Sequence, residues 1–176
     1  MYAAHVAAAL AIKAVQPKAP VWALVGAAFL PDLLWLALAI GGIEHVDAAA
    51  WFDGWSHSML SILLQAVACA VLLWPRDRGV ALAIGAAVAS HLLLDLPMHP
   101  ARLQLYPHAS IAFGNVLHGW AGVPGWLGRS NGWWTEALVA AALLAVYALR
   151  ARRARIRPNI VAASALFVLS LQCVYG

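Results

Sequence analysis

Residues 79–97 read GVALAIGAAVASHLLLDLP. The run is apolar and long enough to cross a bilayer at about 20 residues per helical span, yet it carries His91 and Asp95 near its end. Residues four apart on a helix share one face, so this pair can bind one ion together. An ionised Asp inside a membrane helix costs roughly 2.5–3.5 kcal/mol on insertion scales, and a metal ion or a histidinium must compensate it. The stretch therefore predicts a membrane helix and a polar site on it.

The rest of the chain agrees with the first inference. Of its 176 residues 64% are hydrophobic and 10% charged, and the mean hydropathy is +0.81, whereas soluble domains carry about 25% charged residues. Six apolar segments can be drawn, at about 2–16, 20–41, 56–74, 79–97, 133–150 and 158–176. The expected fold is all-α, a polytopic membrane helix bundle of about six helices forming a single integral membrane domain over residues 1–176. Its first helix is short or partly inserted, since 15 residues make roughly 22 Å of helix against a hydrocarbon core of about 30 Å. Ala-rich stretches suit close helix packing. Met1-Tyr2-Ala3-Ala4-His5 lacks a basic n-region, so the first segment is expected to stay uncleaved.

The net charge of +4 does not point to nucleic acid, because no basic face carries interleaved aromatics outside the apolar segments. The cations instead cluster in alternate loops, at Lys13 and Lys18, at Arg76 and Arg78, and at Arg150, Arg152, Arg153, Arg155 and Arg157. By the positive-inside rule that side is cytoplasmic, which places both termini outside in a bacterial-type inner membrane. All seven histidines then fall on the outer side with every acidic residue except Asp77. Trp51, Trp55, Trp120, Trp126, Trp133 and Trp134 lie there too, where indole rings anchor at the interface. Cys69 and Cys173 fall near opposite faces and read as unpaired packing residues.

Asp32 follows Pro31 deep in the second segment. Proline should break that helix and aim the carboxylate into the bundle. Without a break, Asp32 lies nine residues before Gly41, about 14 Å along the helix, too deep to meet the others. His5 opens the first segment and His57, within Trp55-Ser56-His57-Ser58, opens the third. The set His5, Asp32, His57, His91 and Asp95 mixes imidazole and carboxylate without sulfur, as Zn²⁺ and similar first-row ions prefer. His99 extends the i, i+4, i+8 progression as a possible additional ligand, although Pro97 and Pro100 oppose a continuous helix there. His45, His108 and His118 read as loop residues. The irregular stretch at about 98–132, rich in glycine and proline, is placed to cover the site.

These residues resemble the YdjM-like family of membrane-bound metal-dependent hydrolases, whose pattern runs N-terminal His, Pro-Asp, Thr/Ser-His-Ser and His-x-x-x-Asp. Here the pattern is His5, Pro31-Asp32, Ser56-His57-Ser58 and His91 to Asp95, and the likeness extends through Leu103-Gln104-Leu105-Tyr106-Pro107, so it covers about residues 1–110. The ligand order is also similar to that of zinc-dependent phospholipase C, which implies a site of more than one metal. One departure stands out: Phe52-Asp53-Gly54-Trp55 occupies the place where the family commonly has His-Arg. That leaves Asp53 as the residue available there as a base or ligand.

The function expected from this is metal-dependent hydrolysis of a lipid-linked phosphoester or ester at the outer face, with one or two divalent ions, of which Zn²⁺ fits best. Asp53 and Asp95 are the catalytic candidates, and Arg102 and Arg129 are candidates for steadying an anionic headgroup. Two alternatives stand beside it, a metal-ion or proton transporter and a non-catalytic membrane scaffold. Transport needs polar groups through the inner half, where chiefly Gln16 and Gln65 occur.

Overall fold

A computed structural model of the chain describes residues 2–46, 51–97, 99, 102–114, 116–117, 120, 123–124 and 129–175. Asp47, His118 and Trp126 lie outside them. The fold is all-α. In chain order the described helices are α1 (Tyr2–Val15), α2 (Val21–Ala28), α3 (Leu30–Ile40), α4 (Gly54–His57), α5 (Met59–Leu73), α6 (Arg78–Asp95), α7 (Asn131–Arg153) and α8 (Pro158–Tyr175). Two short antiparallel ladders decorate the loops, β1 (His45–Val46) with β2 (Trp51–Phe52) and β3 (Leu103–Gln104) with β4 (Ala112–Phe113).

Local chemistry sets these boundaries. The Ser58 hydroxyl accepts from Ser61 N–H and caps α5, which divides the expected third segment into α4 and α5. Ser130 caps α7 in the same way through Trp133 N–H at 3.1 Å, and Arg150, Arg152 and Arg153 in its last turn complement the helix dipole. Asp77 caps α6 through Val80 N–H at 3.0 Å, and that hydrogen bond holds its carboxyl below the ordinary carboxylate range. At the end of α3, Gly42 takes φ +70°, so that Gly42 N–H bonds Ala39 C=O at 3.0 Å and Ile43 N–H bonds Leu38 C=O at 2.9 Å. This paired closure needs a residue tolerant of the left-handed region.

Two helices, α6 and α7, are long and apolar enough to cross a membrane, and the pair α2–α3 adds a third if its two limbs count as one span. The expectation of about six spans is not matched at that length, because caps and breaks leave α1, α5 and α8 shorter although apolar. The first helix is short, as expected. It is the centre of the bundle, with ten of its fourteen residues buried and with α2, α6, α7 and α8 packed around it. Alanines make this possible by letting neighbouring backbones approach. Similarly, a Cβ on Gly85 of α6 would lie 3.1 Å from the Ala66 carbonyl of α5.

The bundle has two distinct ends. Lys18 Nζ lies 3.9 Å from Asp77 Oδ2, which joins the α1–α2 and α5–α6 turns. Ala14 and Ala151 share a core cluster, and this brings the arginine-rich α7–α8 turn to the same end. At the opposite end Glu136 of α7 accepts hydrogen bonds from Ala3 and Ala4 N–H at 2.8 and 3.4 Å. Those are donors of the first turn of α1 that no helical carbonyl satisfies. Cys69 and Cys173 are free thiols.

Candidate metal centre

The second apolar segment is broken, and the break falls at Phe29 rather than at Pro31. The limbs α2 and α3 meet at 55° because a proline ring collides with the carbonyl four residues back and deforms the turn before it. The bend has two effects. It brings the Asp32 carboxylate to the level of α4 and α6, and it turns the Ala28 carbonyl toward His91, whose Nδ1 lies 2.8 Å away. A carbonyl can only accept, so Nδ1 carries a proton, and Nε2 is the nitrogen that His91 turns to the bundle interior.

Around that nitrogen the predicted ligands converge. His91 Nε2 lies 3.1 Å from Asp95 Oδ2 and 3.9 Å from Asp32 Oδ1. Asp95 turns its other oxygen to His5, with Nε2 at 3.5 Å, and Asp32 Oδ1 lies 3.3 Å from His57 Nε2. The His5 and His91 rings are 4.3 Å apart and those of His57 and His91 5.2 Å. His99 joins the group, its ring 5.3 Å from that of His57. Its N–H bonds Asp95 C=O at 2.8 Å, so one helical hydrogen bond bridges Pro97 although α6 has ended. Asp53 stands at the edge, its Oδ2 3.5 Å from His99 Nε2.

Three overlapping triads result, His5–His91–Asp95, Asp32–His57–His91 and His57–Asp95–His99, each with ligand atoms within 4.8 Å of one another. Donors about 2.0–2.2 Å from a shared ion stand about 3.3 Å apart along the edge of a tetrahedron, close to the 3.1–3.9 Å separations between His and Asp atoms here. His91 Nε2 is buried without an aligned hydrogen bond among the described residues. Set among carboxylate oxygens, that nitrogen is stabilised by a proton of its own or by a cation held between them. The donor set therefore fits a metal ion. One imidazole nitrogen serves one ion, whereas Asp95 offers an oxygen to each side.

Further groups hold these ligands from behind. Ser56 Oγ lies 2.7 Å from His57 Nδ1, and Glu44 accepts both from Ser56 N–H at 2.8 Å and from its hydroxyl at 2.7 Å. Glu44 is 1% exposed and Ser56 0%. Neither Glu44 nor Glu136 stood out in the sequence, since their partners lie far away along the chain. Arg102 and Arg129 are exposed. The Arg129 guanidinium lies over the Trp133 ring at 5.3 Å, and among the described residues neither arginine forms an ion pair with the cluster. His45 and His108 stay outside it, and His108 stacks on Phe52 at 4.4 Å.

No family model, no characterised protein and no solved structure matches the chain.

Proposed function

We propose that this chain is a membrane-embedded hydrolase that uses one or two divalent ions, Zn²⁺ foremost, to cleave a lipid-linked phosphoester or ester at the outer face of a bacterial-type inner membrane. The observation that carries the reading is the convergence of His5, Asp32, His57, His91, Asp95 and His99 into one cluster of ligand triads, at the end of the bundle opposite the basic turns. The resemblance to YdjM-like hydrolases supports it through the order of the same residues. An apolar exterior, including Leu64, Val67 and Leu72 on α5 and Leu166 and Phe167 on α8, supports the bilayer setting. The positive-inside rule assigns the basic end to the cytoplasm.

A divalent ion in this donor set supplies Lewis acidity, polarising a phosphoryl or carbonyl oxygen and making water nucleophilic near neutral pH. The protein's part is to hold and orient. Asp32, His57 and His91 form one face of the cluster and His5 the other, with Asp95 between them. Asp53, beside His99 and not committed to a triad, takes the proton released by the attacking water at Oδ2. Arg102 and Arg129 meet an anionic headgroup at the rim.

Transport of metal or protons is the competing reading, and the core argues against it. Below the cluster lie Leu24, Ile62, Ala87 and Val88, all buried, and these offer a proton or ion no relay. The test is metal analysis of purified protein beside His91→Ala and Asp95→Ala, followed by hydrolysis assays on a phospholipid panel. Stoichiometric metal and turnover in the wild type, with loss of both in the variants, is expected. Metal-free wild type after loading would overturn the proposal. Ion flux in proteoliposomes without hydrolysis would favour transport, and full tolerance of His91→Ala would favour a scaffold.

A further inference from the structure

The Ser56 hydroxyl has a single proton and two neighbours apart from His57, namely Glu44 Oε2 at 2.7 Å and the Asp53 carbonyl at 3.1 Å. The Asp53 carbonyl can only accept, and a Glu44 carboxylate that receives Ser56 N–H on one oxygen has the other free to accept the hydroxyl. With the hydroxyl proton given to Glu44 Oε2, it points away from the imidazole, so the 2.7 Å contact to His57 Nδ1 is donated by the ring.

We propose that Glu44 and Ser56 form a relay that fixes the proton of His57 on Nδ1 and so reserves Nε2 for the metal centre. Glu44 and Ser56 are positioning residues: neither supplies a ligand atom to the triads, and Ser56 is too deeply buried to act as a nucleophile. His91 obtains the same result from the Ala28 carbonyl, a fixed backbone group. His57 lies at the C-terminus of the four-residue α4, and here the acceptor has to be supplied by side chains. The α3 turn at Gly42 brings Glu44 there, and Gln65 steadies the arrangement by donating to Ser56 C=O at 2.9 Å. Groups behind ligating histidines set ring orientation and basicity, and their loss typically weakens metal binding 10–100-fold.

The inference rests on the metal-centre reading only for its affinity readout, because the ring proton can be read in metal-free protein as well. In full-length protein labelled with ¹⁵N-histidine, His57 Nδ1 is expected to carry a hydrogen in both metal-free and Zn²⁺-loaded samples. Ser56→Ala should lose that slowly exchanging proton and bind Zn²⁺ roughly 10–100-fold more weakly in a chelator competition. Ser56→Thr, which keeps the hydroxyl, should restore both, and this separates the relay from a packing defect. An unprotonated Nδ1 in the wild type overturns the proposal. So does a Ser56→Ala variant, with helical content retained, whose Zn²⁺ affinity stays within about twofold of wild type, well short of that range. Absence of hydrolysis bears on the proposed reaction alone.

Discussion

Replacing Glu136 by alanine removes the group that closes the start of α1. The Ala3 N–H bond at 2.8 Å is short and buried, while the Ala4 contact at 3.4 Å is long. Hydrogen bonds to a charged acceptor contribute about 1.5–3 kcal/mol, and a buried donor left unmade carries a desolvation cost of about 1–3 kcal/mol. Counting the short bond fully and the long one as minor, Glu136→Ala should lose about 2–3 kcal/mol of stability. Glu136→Gln keeps an acceptor oxygen and loses the favourable charge at the helix N-terminus, so it should lose about 1 kcal/mol. Denaturant unfolding in detergent followed by circular dichroism measures both. Because His5 directly follows the capped donors in the same turn, Glu136→Ala should also bind less Zn²⁺ under limiting metal. Stability of Glu136→Ala within about 0.5 kcal/mol of wild type, the range of an ordinary surface change, would refute the reasoning.

Other substitutions probe the frame that carries the site. Gly85→Val should destabilise by about 1–3 kcal/mol through overpacking against Ala66 and Ala70, read from the same unfolding curves. Gly42→Ala places a Cβ at φ +70° and should cost about 1–2 kcal/mol, with weakened Zn²⁺ binding because Glu44 is displaced. Asp77 has a lowered pKa in the folded state. Its contribution is therefore complete above the ordinary carboxylate pKa of about 4 and fades as pH falls through the lower folded value. The stability difference between wild type and Asp77→Asn should shrink on acidification from neutral pH, and a difference independent of pH contradicts the cap.

Much of the site could be read from local pattern. His91 and Asp95 share a helix face by spacing alone, and their donor atoms stand 3.1 Å apart. Pro31 announced a break, but its position at Phe29 depends on which turn yields to the proline ring, and the neighbours of α2 decide that. His99 looked detached beyond Pro97, because spacing rules do not count a single hydrogen bond that survives after a helix ends. Glu44 and Glu136 were illegible because each acts on a backbone or side-chain group that the fold delivers from elsewhere, Glu136 across 133 positions. The shortness of α1 was legible, and it has fourteen residues, but its central place was not, since a helix enclosed by protein need not match the thickness of a bilayer.

That enclosure gives the molecule an order in time. The helix bearing His5 is made before the other described helices, yet its walls include α7 and α8, which begin at Asn131 and Pro158. At translation rates of about 5–20 residues per second, the nascent first helix waits on the order of ten seconds for its last neighbours. Before that interval closes, His57, His91 and Asp95 have been made, but the partner that holds His5 against them has not. The centre is thus completed by segments as far apart as Ala3 and Glu136, 133 positions along the chain, and a polypeptide interrupted between them carries most of the ligands without the assembled site.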